Sequence, residues 1–253
     1  MTEPIDKSIA PKPLQRMFAA VPPRYDLINR VITWGMDERW RRAAARECLA
    51  AKPKRVLDIG CGTGDLIINI ARMAKEDVEL VGLDYSPPML AKAAAKARRL
   101  APDRKITFIE GDVASLPFPD GYFDCVGISF AFRNLTYKNP VARPHLAEVL
   151  RVLSPGGRYV IVETSQPECR LLRWLFHLYL RLIVSRLGQW LSGNKGAYHY
   201  LAESAADFFT PEEVRQMLMG AGFREVFYRS LFFGAAGIHI AIKEIVDRLQ
   251  GKK

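Results

Sequence analysis

With 253 residues, 49% of them hydrophobic and 25% charged, the chain can bury a sizeable core, which excludes a disordered polypeptide. A net charge of +10 favours contact with something anionic, whether nucleic acid, a membrane surface or an acidic metabolite, and charge alone does not choose among them. Cys48, Cys61, Cys125 and Cys169 form no C-x-x-C pair and none lies at metal-ligand spacing from a histidine, so they read as reduced thiols of a cytosolic protein with no metal site.

The first 13 residues are polar and proline-rich, without an apolar signal region. Residues 14–51 have helical spacing, broken at Pro22 and Pro23. From there strands and helices alternate. "KRVLDIG" is a short buried strand, "TGDLIINIARMA" a helix, "VELVGLD" a strand, and "PPMLAKAAAKARRLA" a helix opened by proline. "KITFIEGD" and "FDCVGISF" are strands, "PHLAEVLRVL" is a helix, and "PGG" turns into the strand "RYVIVET". This alternation predicts a parallel sheet covered on both faces.

The rhythm stops after Glu163, and residues 168–206 read as helical. Thr210, Pro211 and Glu213 then form a capping-box signature for a further helix. "REVFYRSLFF" and "GIHIAIKEI" read as a closing antiparallel hairpin around residues 234–237. No run of about 18 uncharged apolar residues is present, so no segment reads as membrane-spanning. The expected organisation is a tail and helical cap over 1–51, an α/β core over 52–166, a helical insertion on the substrate and membrane side over 167–206, and the rest of the α/β domain over 207–253.

"VLDIGCGTGD" ends the first strand with Asp58, Gly60, Gly62 and Gly64. Glycines allow a sharp turn and close backbone approach to a ligand, and ligands of open α/β sheets sit at the carboxyl ends of strands. The spacing is G-x-G-x-G rather than the dinucleotide fingerprint G-x-G-x-x-G. A tight strand–helix turn alone would also use such a trio. Asp84 ends the second strand, where a carboxylate can accept from both hydroxyls of a ribose. Asp112 ends the third, where it can accept from the exocyclic amine of adenine while Val113 packs the ring. A nucleoside without phosphates fits better than a dinucleotide, and S-adenosylmethionine is the obvious one.

Residues 56–161 resemble the class I S-adenosylmethionine-dependent methyltransferases. The resemblance implies a Rossmann-like, mostly parallel seven-stranded sheet with an antiparallel C-terminal hairpin, N-terminal helices and a helical insertion. It places Thr63 beside the methionine part of the cofactor, Asp84 at the ribose, Asp112 and Val113 at the adenine, Ser129 on the same pocket wall, and Tyr85 among the cofactor-binding residues. The N-P-P-Y-like motif of amino methyltransferases is missing from the end of the fourth strand, which argues against an exocyclic-amine acceptor.

"MFAAVPPRYDLINRVITWGMDERWRR", "SFAFRNLT", "RVLSPGGRYVIVETSQP" and "YHYLAESAADFFTPEEV" are similar to the quinone C-methyltransferases, which methylate demethylmenaquinone or the polyprenyl benzoquinol precursor of ubiquinone. That likeness runs from about Met17 to Lys243. Ala131 stands where these relatives carry glycine, Thr164 where they carry an aromatic residue, and His199 where they carry a basic one.

The resemblance implies that the acceptor is a ring carbon next to a phenolic oxygen. Arg133 would stabilise the phenolate and Asn134 would hydrogen-bond it. Arginine stays protonated, so the proton passes to a water held by Arg133 or to Tyr25, Asp26, Tyr198, His199 or Tyr200. The competing reading of Arg133 is a salt bridge to an acid at the edge of the core.

"CRLLRWLFHLYLRLIVSRLGQWL" places Arg170, Arg173, His177, Arg181 and Ser185 on one helical face, with apolar side chains over the remainder. A narrow basic stripe on an apolar helix fits a helix lying on an anionic membrane surface, and equally a core or dimer-interface helix with one wet edge. The expected partners are therefore a polyprenyl quinol, the inner face of a membrane and, on the dimer-interface reading of this helix, a second copy of the chain; no nucleic-acid module stands out. The alternatives are methylation of another phenolic or sterol-like lipid, methylation of RNA, and a non-catalytic cofactor-binding scaffold.

Overall fold

The computed structural model describes residues 30–75, 77–184 and 204–245. Tyr25, Asp26, Tyr198, His199 and Tyr200 lie outside these, as do the break at Pro22–Pro23 and the second half of the expected insertion.

The described chain runs α1 (Met36–Leu49), β1 (Arg55–Ile59), α2 (Asp65–Met73), β2 (Glu79–Asp84), α3 (Pro87–Leu100), β3 (Ile106–Glu110), β4 (Phe123–Ser129), α4 (Phe132–Thr136), α5 (Ala142–Val152), β5 (Leu153–Thr164), α6 (Arg170–Tyr179), a π-helical turn (Leu180–Val184), α7 (Pro211–Gly220), β6 (Phe223–Leu231) and β7 (Ala236–Lys243). The seven strands form one sheet in the order β3-β2-β1-β4-β5-β7-β6. β1 to β5 pair in parallel, and β7 runs antiparallel to both β5 and β6. The expected architecture is the observed one.

Side-chain alternation explains the two-faced core. Leu57, Ile59, Leu83 and Ile128 join one apolar cluster with Leu146 and Val149 of α5 and Val214 and Leu218 of α7. Val56, Leu80, Cys125 and Val160 point the other way, onto Ala44 and Cys48 of α1 and Leu66, Ile67 and Ile70 of α2. Strands buried on both faces need continuous apolar runs, which β1 and β4 supply. Thr210 caps α7 as expected, accepting from the Glu213 amide while Glu213 accepts from the Thr210 amide.

Three local features differ from expectation. β5 begins at Leu153, and its register against β4 jumps from Phe123–Leu153 to Cys125–Arg158. The S-P-G-G stretch is thus an irregularity within the strand, with Gly156 at φ +75°, rather than a turn before it. β3 stops at Glu110, so Asp112 lies in the following loop. β4 stops at Ser129, and Phe130 adopts a left-handed conformation at φ +55°. Arg133 and Asn134, expected straight after the strand, sit on the short helix α4.

Candidate active site

The carboxyl ends of β1, β2 and β4 open into a cavity of about 1250 Å³. Its lining includes Asp58, Gly60, Gly62, Thr63, Asp84, Tyr85, Asp112, Val113, Ser129, Arg133 and Asn134. A typical small-molecule pocket spans roughly 300–1,000 Å³, so there is room for more than one ligand.

The glycine loop is held from beneath. Gly60, Gly62 and Gly64 take φ of +59°, +53° and +81°, which only glycine adopts without strain. One Asp84 oxygen accepts the Gly62 amide at 2.8 Å and the other accepts the Ser86 amide at 2.9 Å. Burial raises the Asp84 carboxyl above its ordinary range, and these two amides partly offset the shift. Asp58 is buried and accepts the Ile67 amide at 3.2 Å, which ties β1 to the first turn of α2. Its Oδ1 is buried with no protein partner, and burial pushes its carboxyl well up. A Cβ built on Gly62 would meet nothing within 4 Å, so the loop leaves open space where a ligand backbone would approach. An open Gly62, an orphaned buried acceptor and two acids at strand ends fit an amino-acid nucleoside.

Thr63 is buried, and its hydroxyl accepts from Lys96 at 2.9 Å. Lys96 also pairs with Asp65 at 2.8 Å. Asp112 accepts the Ala114 amide at 2.9 Å, and its side chain is 61% exposed; Val113 beside it is buried. Ser129 accepts from Arg41 Nε at 3.2 Å. Gly64 is the one expected cofactor residue that turns to the protein: a Cβ there would meet Ala93 at 3.1 Å.

Arg133 and Glu163 form a buried pair. Arg133 Nη1 lies 3.3 Å from Glu163 Oε1, and it donates to Thr164 Oγ1 at 2.7 Å. The Arg133 amide donates to the other Glu163 oxygen at 3.1 Å. The salt bridge foreseen as the competing reading therefore exists, yet Arg133 also lines the cavity. Arg133 Nε and Asn134 Oδ1 are buried without a protein partner. Unsatisfied buried polar atoms are rare; here one is a donor and its neighbour an acceptor, on two consecutive residues that line the cavity.

Several residues escaped the sequence reading. Arg41 bonds Asp37 at 2.5 Å on α1, lies 3.9 Å from Asp65, and stacks over the Phe130 ring at 5.2 Å. The i, i+4 spacing of Asp37 and Arg41 was visible, but not that both would be buried at a ligand cavity. Glu163 gave no signal beyond ending an apolar strand.

The cavity rim is apolar. Trp34 is 83% exposed and Phe233 76%, and both line the cavity with Phe232, Leu175 and Phe176. Trp34, Phe232 and Phe233 all hold positive φ. α6 corrects the expected basic stripe. Arg173 donates to the Pro167 carbonyl at 2.8 Å, and His177 Nε2 donates to Gln166 Oε1 at 2.9 Å. These two turn inward, while Leu171, Trp174, Leu175, Leu178 and Leu182 are exposed. Arg170 and Arg181 stay exposed, while Leu172, Phe176 and Leu180 line the cavity, so the outer surface of the helix is apolar with basic residues at its two ends. No described helix is long and apolar enough to cross a membrane.

Comparison with known proteins decides the family. Residues 7–243 match the ubiE/COQ5 methyltransferase family. The chain belongs to this family. It is 46% identical to a demethylmenaquinone methyltransferase of Deinococcus radiodurans, over 94% of this chain and 95% of that one. It is 44% identical to another of that name from Thermus thermophilus, over 88% and 98%. A ubiquinone/menaquinone biosynthesis C-methyltransferase UbiE of Geobacter sulfurreducens is 37% identical over 91% and 88%. Among solved structures, an O-methyltransferase family protein from Burkholderia thailandensis superposes with a TM-score of 0.64 at 14% identity, over 88% of this chain and 60% of that one. A SAM-dependent methyltransferase from Aquifex aeolicus gives 0.53 at 19%, over 75% and 81%. These two share the fold. As a ubiE/COQ5 family member the chain is a methyltransferase, and S-adenosylmethionine is its methyl donor.

Proposed function

We propose that the protein methylates a ring carbon of a polyprenyl quinol, with demethylmenaquinol as acceptor. The observation that supports this is the placement of Arg133 and Asn134 on the same cavity as the glycine loop, beneath an apolar rim, where the guanidinium and the Asn134 side-chain NH2 are donors for a ring oxygen. The two relatives of highest identity named above are demethylmenaquinone methyltransferases, which favours the naphthoquinol over the benzoquinol.

Bound S-adenosylmethionine supplies an electrophilic methyl group on a sulfonium. Gly60, Gly62 and Thr63 receive its methionine part, Asp84 and Tyr85 its ribose, and Asp112 and Val113 its adenine. Arg133 stabilises the acceptor oxygen as it loses its proton, which loads charge onto the adjacent ring carbon. Glu163 fixes the guanidinium plane and Asn134 orients the oxygen. Tyr25, Asp26, Tyr198, His199 and Tyr200 are the candidates to receive the proton, directly or through water. The apolar face of α6 and the Trp34–Phe232–Phe233 rim rest on the inner face of a membrane, where the prenyl tail resides.

The reaction is tested by transfer of label from tritiated S-adenosylmethionine to a demethylmenaquinol analogue, a benzoquinol analogue and bulk RNA. Label in RNA alone overturns the proposal. Arg133→Ala that binds cofactor and methylates at a normal rate removes Arg133 from the mechanism. Flotation with anionic vesicles tests the membrane face: Leu175→Asp combined with Leu182→Asp abolishes flotation, and unchanged flotation refutes that face.

A further inference from the structure

His145 of α5 is buried on the cavity wall, and neither family resemblance nor sequence spacing gave it a role. Its Nδ1 lies 3.0 Å from the carbonyl oxygen of Leu135. A carbonyl only accepts, so Nδ1 carries the proton. In the neutral ring, Nε2 is then an acceptor. Nε2 lies 3.8 Å from Asp112 Oδ1, an oxygen that already accepts the Ala114 amide at 2.9 Å and, as a carboxylate oxygen, can accept a second bond; both residues line the cavity. Two acceptors face each other across a gap too wide for a hydrogen bond between them.

We infer that His145 Nε2 and Asp112 Oδ1 together grip the exocyclic amine of the cofactor's base. An amine nitrogen about 2.9 Å from each acceptor sees them at an angle of about 80°, which two diverging N–H groups span with modest bending. The amine offers two hydrogens and the site offers two acceptors. A 6-oxo purine presents a carbonyl oxygen at the same place, so the pair would confront a third acceptor. The pair thus selects adenine over hypoxanthine. It also links cofactor to acceptor, because the other His145 nitrogen holds Leu135, the residue after Asn134 on α4.

This inference rests on the cofactor reading above, and the experiment separates the two. Calorimetry measures binding of S-adenosylhomocysteine and of S-inosylhomocysteine to the full-length wild type, to His145→Phe and to His145→Gln. The wild type is expected to prefer the adenosine compound at least about 100-fold, since a site built around hydrogen bonds rejects a ligand that leaves them unpaired. His145→Phe lowers that preference about tenfold, through weaker binding of the adenosine compound. His145→Gln keeps an amide donor for Leu135 and a carbonyl for the amine, and restores part of the preference. Should His145→Phe not fold, the His145→Gln ratio against wild type decides. Equal weakening of both compounds, with the ratio unchanged, assigns His145 a purely structural role and overturns the inference. Failure of the wild type to bind S-adenosylhomocysteine overturns the cofactor reading itself.

Discussion

Arg133 and Glu163 face each other at 3.3 Å with each side chain 3% exposed, at the point where the core ends and the cavity begins. Glu163 also accepts from the amides of Arg133 and Thr164, so one carboxylate sets both the helix α4 entry and the guanidinium. Removing it leaves an uncompensated buried cation. Glu163→Ala is expected to lose about 3–5 kcal/mol of stability in urea unfolding and all measurable turnover. Replacing both partners with apolar residues, Arg133→Met with Glu163→Leu, should recover most of the stability but no activity. Turnover by that double variant would show that the pair serves only the fold.

The glycine loop approaches the start of the acceptor helix at Ala131. A Cβ on Gly60 would lie 3.1 Å from the Ala131 Cβ, at a φ of +59°. Gly60→Ala is expected to cost about 1–2 kcal/mol from backbone strain alone, with further loss from crowding. Ala131→Gly should by itself be nearly neutral for cofactor affinity. In combination it should reduce the penalty of Gly60→Ala, giving a measurable coupling in a double-mutant cycle. Strict additivity would mean the two sites do not feel each other.

His239, buried on β7 with its Nε2 donating to the Pro211 carbonyl at 3.3 Å, has its pKa depressed to about 4 by burial. The unfolded chain takes up a proton near pH 6.5 and the folded one does not. The unfolded state therefore binds more protons between these values, and folding stability falls as pH drops from about 6.5 to about 4. The expected loss is about 3 kcal/mol. Asp58 and Asp84, whose carboxyls are raised, act in the opposite direction, destabilising the fold as pH rises through their elevated pKa values. His239→Gln keeps a donor for Pro211 without titrating, so its urea midpoint should lose this part of the acid dependence. An unchanged pH profile would exonerate His239.

Phe233 sits on the β6–β7 turn at φ +55° with little packing, so its strained backbone is not repaid by burial within the chain. Phe233→Asn, which tolerates this conformation, should raise stability by about 0.5–1 kcal/mol. The same change should weaken flotation with anionic vesicles and raise KM for a long-tailed quinol more than for a tailless analogue. A variant that is more stable yet floats normally would leave the strain without a lipid-facing purpose.

What was legible in the sequence was local. The Thr210–Glu213 box, the three glycines and the closing hairpin are each written within a few neighbouring residues, and each is present. The alternation of strands and helices announced the parallel part of the sheet, while the seven-stranded arrangement came with the family resemblance and the strand order only with the structure. The site's support was not legible, since its partners are distant: Arg133 meets Glu163 thirty positions away, and Arg41 meets Ser129 eighty-eight away. α6 shows a different limit. Periodicity put Arg173 and His177 on a stripe with Arg170 and Arg181, but that the middle two turn inward while the outer two stay exposed depended on Gln166 and the Pro167 carbonyl just after β5. Phe130 shows another, for nothing in an aromatic residue announces a left-handed backbone.

The glycine loop and the exposed aromatic rim open into one cavity, and the proposed chemistry makes that a matter of traffic. A ligand seated against Asp58 and Asp84 lies at the buried floor, and a ring with its tail crossing Trp34 and Phe233 closes over it like a stopper. On the proposed seating, entry would be compulsory in order, cofactor before quinol. Exit runs in reverse, so the spent cofactor waits for the methylated ring to withdraw. Accumulated product in the bilayer would hold the enzyme shut with its used donor inside, giving a lipid-borne brake on its own synthesis.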